Sequence, residues 1–107
     1  MQKLEAIRSV IARIPPGKVL TYGHAAEAAG FPHAARLTVR ALQGDHGLPW
    51  HRVVAAGGRI ALDGIEGEEQ RRRLRMEGVG FRGNRVRMDE CEWKPRVRVP
   101  RPPRRRP

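Results

Sequence analysis

The chain has 107 residues, 39% hydrophobic and 31% charged, enough for one small domain with a modest core and too few for two. Its formal net charge of +11 points to a polyanionic partner, of which nucleic acid is the commonest. One cysteine, Cys91, excludes an internal disulfide and a thiolate metal cluster, and the four histidines (His24, His33, His46, His51) show neither HxH nor HExxH spacing, so neither metal nor cofactor is expected.

The apolar runs are only a few residues long, and Met1-Gln2-Lys3-Leu4-Glu5 carries an acid where a secretory signal would not. No membrane segment and a cytoplasmic location are therefore expected. Leu4, Ile7, Val10, Ile11 and Ile14 recur at helical spacing and predict an amphipathic helix over 2–14, stopped by Pro15-Pro16-Gly17. Val19-Leu20 reads as a short extended piece. Thr21 is a candidate N-cap for a helix over 22–29, closed by Gly30. Pro32 suits the first turn of a helix over 33–43. Two short helices joined by a Gly-containing turn make a helix-turn-helix candidate.

After a loop at 44–49, Val53-Val54 and Arg59-Ile60-Ala61-Leu62 read as strands around Ala55-Ala56-Gly57-Gly58, a hairpin or wing. A last helix is expected over 66–77, with Glu68–Arg72 and Glu69–Arg73 pairs on its face and Gly78 at its end, followed by a short β-like finish at 79–88. The fold class is thus mostly α with a short β hairpin, a winged-helix-like DNA-binding domain over 1–93. Residues 94–107 form a basic Pro/Arg-rich arm expected to be disordered: its seven cations meet no acid, so only +4 of the net charge belongs to residues 1–93. Such an arm is either a solubilising end or a salt-dependent contact to a polyanion. A monomer is expected, because no second apolar face is evident.

The informative stretch is Leu48-Pro49-Trp50-His51-Arg52-Val53-Val54. Together with Ile14-Pro15-Pro16-Gly17-Lys18-Val19, Thr21-Tyr22-Gly23, Ala34-Ala35-Arg36 and Glu77-Gly78, in that order along residues 2–93, it resembles the DNA-binding domain of O6-alkylguanine-DNA alkyltransferases. That family carries a Pro-Cys-His-Arg-Val motif whose cysteine accepts the alkyl group. A tryptophan at that position resembles the alkyltransferase-like proteins, a sister group without transferase activity.

The chemistry of the residues agrees. Dealkylation needs a soft nucleophile such as a thiolate, whereas an indole offers one N–H donor and no usable lone pair. Trp50 can instead stack on an extruded base, or fill a core as an ordinary buried aromatic. Cys91 stands in Met88-Asp89-Glu90-Cys91-Glu92, where neighbouring carboxylates raise a thiol pKa.

The resemblance implies a non-enzymatic sensor that flips O6-alkylguanine out of duplex DNA and marks it for nucleotide excision repair. It places Trp50, Tyr22, Val53, His51 and Arg59 around the lesion pocket, with His51 and Glu77 matching the family's activating histidine and its carboxylate. It makes Arg36 the finger that fills the vacated stack, with Ala34 and Ala35 permitting close approach to the minor groove, Arg40 meeting phosphate and Tyr22 crowding the phosphate beside the target. Read without the resemblance, Arg36 and Arg40 are sooner a solvated helix face than a DNA contact, and Tyr22 is equally a core-edge residue. The chain departs from the pattern at Leu62-Asp63-Gly64, where the family places a small polar or basic residue. The loop 43–48 is shorter than in many transferases, which would open the pocket to larger alkyl groups. Two other functions remain open: an alkyltransferase using another nucleophile such as Cys91, and a sequence-specific winged-helix regulator.

Overall fold

The computed structural model describes residues 2–44 and 46–95. Most of the 94–107 arm lies outside the described residues. Helix α1 spans Gln2–Ala12 and buries Ile7, Val10 and Ile11. Its last residues tighten into bonds from Arg13 N to Val10 O (3.0 Å) and Ile14 N to Ile11 O (3.1 Å), so the regular helix ends two residues before the predicted Ile14. Pro15 accounts for this, since a proline drives the residue before it out of the helical region.

Strand β1 (Leu20–Thr21) leads into α2 (Tyr22–Ala28), and the Thr21 hydroxyl caps that helix by accepting from His24 N at 3.0 Å. At the far end Gly30, at φ +100°, donates to Glu27 O while Phe31 N donates to Ala26 O, the paired bonds of a Schellman stop. Helix α3 is Ala35–Leu42, starting later than predicted. His33 takes a left-handed φ of 62°, which no helical residue can adopt, so Pro32 stays in the turn and not in the helix. The buried Thr38 hydroxyl donates to Tyr22 O at 2.7 Å and Arg8 Nε donates to Ala41 O at 2.9 Å, locking α3 to α2 and α1.

The predicted hairpin between 53–54 and 59–62 is not formed. Strand β2 (Val53–Val54) instead pairs in parallel with β1, Leu20 opposite Val53 and Thr21 opposite Val54. Ala55 N donates to Arg59 O at 2.8 Å, which folds 55–59 into a tight loop. The hairpin lies later, between β3 (Phe81–Arg82) and β4 (Arg85–Val86), with Arg59 bridged to Arg85 on its edge. Between the 55–59 loop and this hairpin α4 covers Gly64–Met76, and a short α5 (Met88–Cys91), absent from the sequence reading, follows the hairpin. Glu69 takes both Arg72 and Arg73 as ion-pair partners, where the sequence suggested separate Glu68–Arg72 and Glu69–Arg73 pairs.

The buried side chains form two clusters rather than the single core that the length suggested. One holds Ile7, Ile11, Ile14, Leu20, Ala25, Ala41 and Val53 between α1, α2 and α3. The other holds Val19, Val54, Ile60, Leu74, Val79, Val86 and Cys91 between α4, the hairpin and α5. The β1–β2 pair separates them: Leu20 and Val53 point one way, Val19 and Val54 the other, as strand alternation requires. Trp93 N donates to Val19 O at 2.8 Å, carrying the chain back along this seam. Among the described residues no helix is long and apolar enough to cross a membrane.

Candidate nucleic-acid interface and its cavity

Three neighbouring residues after Pro49 do different work. Trp50, His51 and Arg52 form a single tight helical turn leading into β2. Arg52 reaches back: its Nη2 lies 2.7 Å from Glu77 Oε2, its Nε bonds the same carboxylate, and its Nη1 donates to Ile14 O at 2.9 Å. Glu77 also accepts from Gly17 N (3.0 Å) and lies 2.8 Å from His51 Nε2. One carboxylate therefore ties the end of α4, the turn that follows α1 and the 50–52 turn. Burial pushes the Glu77 carboxyl up, but the bonds from Arg52, Gly17 and His51 outweigh it and hold its pKa down at about 2.

From the other side, Gln70 of α4, itself buried, donates its amide N–H groups to His51 O (3.1 Å) and Val53 O (2.9 Å). The backbone that carries Trp50 is thus pinned at both flanks. The His51 ring is buried edge-on to Trp50, with centroids 6.2 Å apart, and its Nδ1 has no hydrogen-bond partner among the described residues.

Trp50, only partly buried, lines a cavity of about 370 Å³ together with Tyr22, Val39, Leu42, Gln43, Val53, Leu62, Glu66 and Gln70. That volume falls within the range of about 300–1,000 Å³ usual for small-molecule sites. Trp50 and Leu42 also line a neighbouring hollow with His46 and Arg73, whose guanidinium stands 5.5 Å from the indole centroid. Of the expected pocket residues, Tyr22, Trp50 and Val53 meet at the cavity. His51 does not line it, because its ring is drawn behind β2 toward Glu77. Arg59 does not line it either, because the 55–59 loop closes on itself instead of bending inward. Its charge is still felt at the rim: burial pushes the Tyr22 phenol up and Arg59 partly opposes that.

The sequence reading missed Gln70, Glu66, Val39, Leu42 and Gln43, while Leu62 belongs to the Leu62-Asp63-Gly64 stretch that the resemblance sets beside the base. Gln70 could have been noticed as the one uncharged polar residue in the run Glu68-Glu69-Gln70-Arg71-Arg72-Arg73.

Beside this cavity lies the outward face of α3. Arg36, Val39 and Arg40 share it by helical spacing and all three are exposed, Val39 at 45%. Val39 is also part of the cavity wall, so the cavity lies next to the face that carries the two arginines. Ala35 is exposed in the first turn of α3 and Ala34, before it, is half-buried against the first core. Both arginines lack an acidic partner among the described residues. Cys91 is remote from all of this: it is buried in the second cluster, its Sγ donates to Arg87 O at 3.2 Å, and burial raises its pKa, opposed by Lys18 and aided by smaller contributions from Glu90, Asp89 and Glu92.

Helices α2 and α3, joined by the turn at 29–34, with a small sheet and a late hairpin, make this a helix-turn-helix domain of the winged kind, with an aromatic-lined cavity at the end of its second helix. The chain belongs to the family described as 6-O-methylguanine DNA methyltransferase, DNA binding domain, whose model matches residues 3–79. It is 37% identical over 99 residues to the DNA base-flipping protein of Vibrio parahaemolyticus, covering 88% of this chain and 98% of that one. It is 33% identical over 99 residues to alkyltransferase-like protein 1 of Schizosaccharomyces pombe, covering 83% of this chain and 92% of the relative. The solved structure of S. pombe Atl1 in complex with damaged DNA containing O6-carboxymethylguanine superposes with a TM-score of 0.73 at 32% identity, over 88% of this chain and 96% of that one.

Proposed function

We propose that this protein is a non-enzymatic DNA damage sensor that rotates O6-alkylguanine out of the duplex into the cavity beside Trp50 and holds it there unrepaired. The observation that carries the reading is the indole of Trp50 on the cavity wall, at the motif position where transferases carry their acceptor cysteine. The His51–Glu77 pair stands behind it with no thiol to activate. Stacking of an extruded base on an aromatic face contributes about 1–3 kcal/mol, and flipping costs a few kcal/mol, so the remainder must come from the α3 face.

Arg36 is suited to enter the stack, since a planar guanidinium can both stack and donate to the orphaned base. Arg40, one turn on, is placed for phosphate, and Ala34 and Ala35 leave room for close approach. Tyr22, at the cavity and at the start of α2, favours rotation of the target by crowding the backbone beside it. The names of the relatives and the damaged DNA in the S. pombe complex support the same assignment.

An alkyltransferase working through Cys91 is disfavoured by the burial of that thiol and its raised pKa. A sequence-specific regulator would leave the cavity and Trp50 without a role. The sensor acts as a monomer in the cytoplasm, on the chromosome when engaged, with residues 1–93 as the reading domain and residues 94–107 as a basic arm. It hands the distorted site to nucleotide excision repair. Competition binding with duplexes containing guanine or O6-methylguanine at one position tests the reading, and equal affinity for both would sink it. Intact-protein mass spectrometry after incubation with the alkylated duplex tests the absence of transfer, and a gain of the methyl mass would restore an enzyme.

A further inference from the structure

The cavity lining carries charge of one sign only, beside the donors that Tyr22, Gln43 and Trp50 can offer. The Gln70 amide nitrogen is spent on His51 O and Val53 O, which leaves only its oxygen to offer. Glu66, in the first turn of α4, is an acceptor with no ion-pair partner among the described residues, and it lines the cavity wall. No cation is among the lining residues. Arg59, whose charge reaches the Tyr22 hydroxyl, stands outside the wall, and Arg73 is part of the neighbouring hollow with Trp50. Asp63, exposed before α4, adds a second negative charge near Glu66 along the chain.

We propose that Glu66 sets the adduct specificity of this protein: the cavity accepts alkyl arms that are neutral or carry a hydrogen-bond donor, and disfavours arms that end in a carboxylate. The inference rests on the reading that this cavity receives the damaged base. Glu66 is exposed, so the repulsion between two like charges about 5 Å apart is partly screened and corresponds to about three- to tenfold in affinity. A hydroxyl or ammonium on the arm would instead find acceptors in Glu66 and the Gln70 oxygen. S. pombe Atl1 has been solved in complex with damaged DNA containing O6-carboxymethylguanine, so the carboxymethyl duplex is the discriminating ligand for this chain.

The test is competition binding of the full chain to four duplexes of one sequence carrying guanine, O6-methylguanine, O6-(2-hydroxyethyl)guanine or O6-carboxymethylguanine. The O6-methyl and O6-hydroxyethyl duplexes should bind well, and the O6-carboxymethyl duplex about three- to tenfold more weakly than O6-methyl. Glu66→Gln should close most of that gap and Glu66→Lys should invert it, each read as the ratio of O6-carboxymethyl to O6-methyl affinity within the same variant. Carboxymethyl binding as tight as methyl in the unaltered protein, or a gap that Glu66→Gln leaves intact, overturns the proposal while the sensor reading stands. O6-methylguanine bound no better than guanine would remove both.

Discussion

The Arg73 guanidinium stands over the Trp50 ring, 5.5 Å from its centroid, and is itself held by Glu69 through a bond of 2.6 Å from its Nε. The indole is therefore braced from α4 while it lines the cavity. Trp50→Ala should keep the fold, since the side chain is only partly buried, and should lower the preference for O6-methylguanine over guanine by roughly 5- to 150-fold, the equivalent of about 1–3 kcal/mol of stacking. Arg73→Ala should cost a further-removed effect of roughly two- to fivefold, in line with about 0.5–1 kcal/mol for a partly exposed cation–π contact. Competition binding reads both, and an unchanged preference in Trp50→Ala would remove the stacking role.

Glu77 makes stability depend on acid. Its pKa is lowered from 4.5 to about 2 in the folded protein, so the carboxylate contributes fully above about pH 4.5 and loses its contribution as pH falls toward 2. Glu77→Gln should reduce the unfolding free energy at neutral pH by on the order of 2 to 3 kcal/mol, from the lost bonds to Arg52, His51 and Gly17. Denaturant unfolding at a series of pH values should show the gap between the two proteins closing between about pH 4.5 and 2, the window set by the two pKa values. A gap that stayed constant across that window would show that the carboxylate's charge is not what holds the three segments together.

What was legible in the sequence is what short-range chemistry decides. Thr21 caps α2 and Gly30 and Gly78 close their helices because a hydroxyl, or a residue free to take positive φ, acts within a turn of its own position. The strand pairing was not legible. Ala55-Ala56-Gly57-Gly58 has the turn chemistry of a hairpin, but the partner of Val53-Val54 is Leu20-Thr21, which is brought there by the packing of α1, α2 and α3. The same distinction divides the site. Tyr22, Trp50 and Val53 were named from motif positions and do meet at the cavity, whereas Glu66 and Gln70 sit in a run of charges that reads as a solvated face. Only the approach of α4 to β2 gives them their place.

That approach depends on Gly67. A Cβ at this position would overlap the Leu62 carbonyl oxygen, a backbone atom that a side-chain rotation cannot move. Leu62 and Glu66 both line the cavity, so a displaced 62–64 segment changes its wall. Gly67→Ala should therefore lower stability by about 1–3 kcal/mol, as overpacking does, despite the better helix propensity of alanine. It should also weaken binding to O6-methylguanine duplex more than binding to unmodified duplex. Thermal unfolding and competition binding together check this, and a stabilised variant with unchanged preference would show that the contact at Leu62 relaxes freely.

The arginines should separate by their salt dependence. Arg36 and Arg40 are exposed on the face of α3 that includes Val39 of the cavity wall, yet the proposed roles differ: one acts inside the duplex, the other on its backbone. Arg40→Ala should weaken damaged and undamaged duplex alike and reduce the slope of log affinity against log salt by about 1. Arg36→Ala should chiefly reduce the preference for O6-methylguanine, because it removes the group that replaces the flipped base, and should alter the slope less. Removing residues 94–107, with their seven cations, should flatten the slope more than Arg40→Ala and leave the preference nearly intact. Titrations across a salt series on both duplexes resolve the three variants. If Arg36→Ala behaved like Arg40→Ala, lowering both affinities equally, the α3 face would be an electrostatic surface only and the finger would have to be sought elsewhere on the domain.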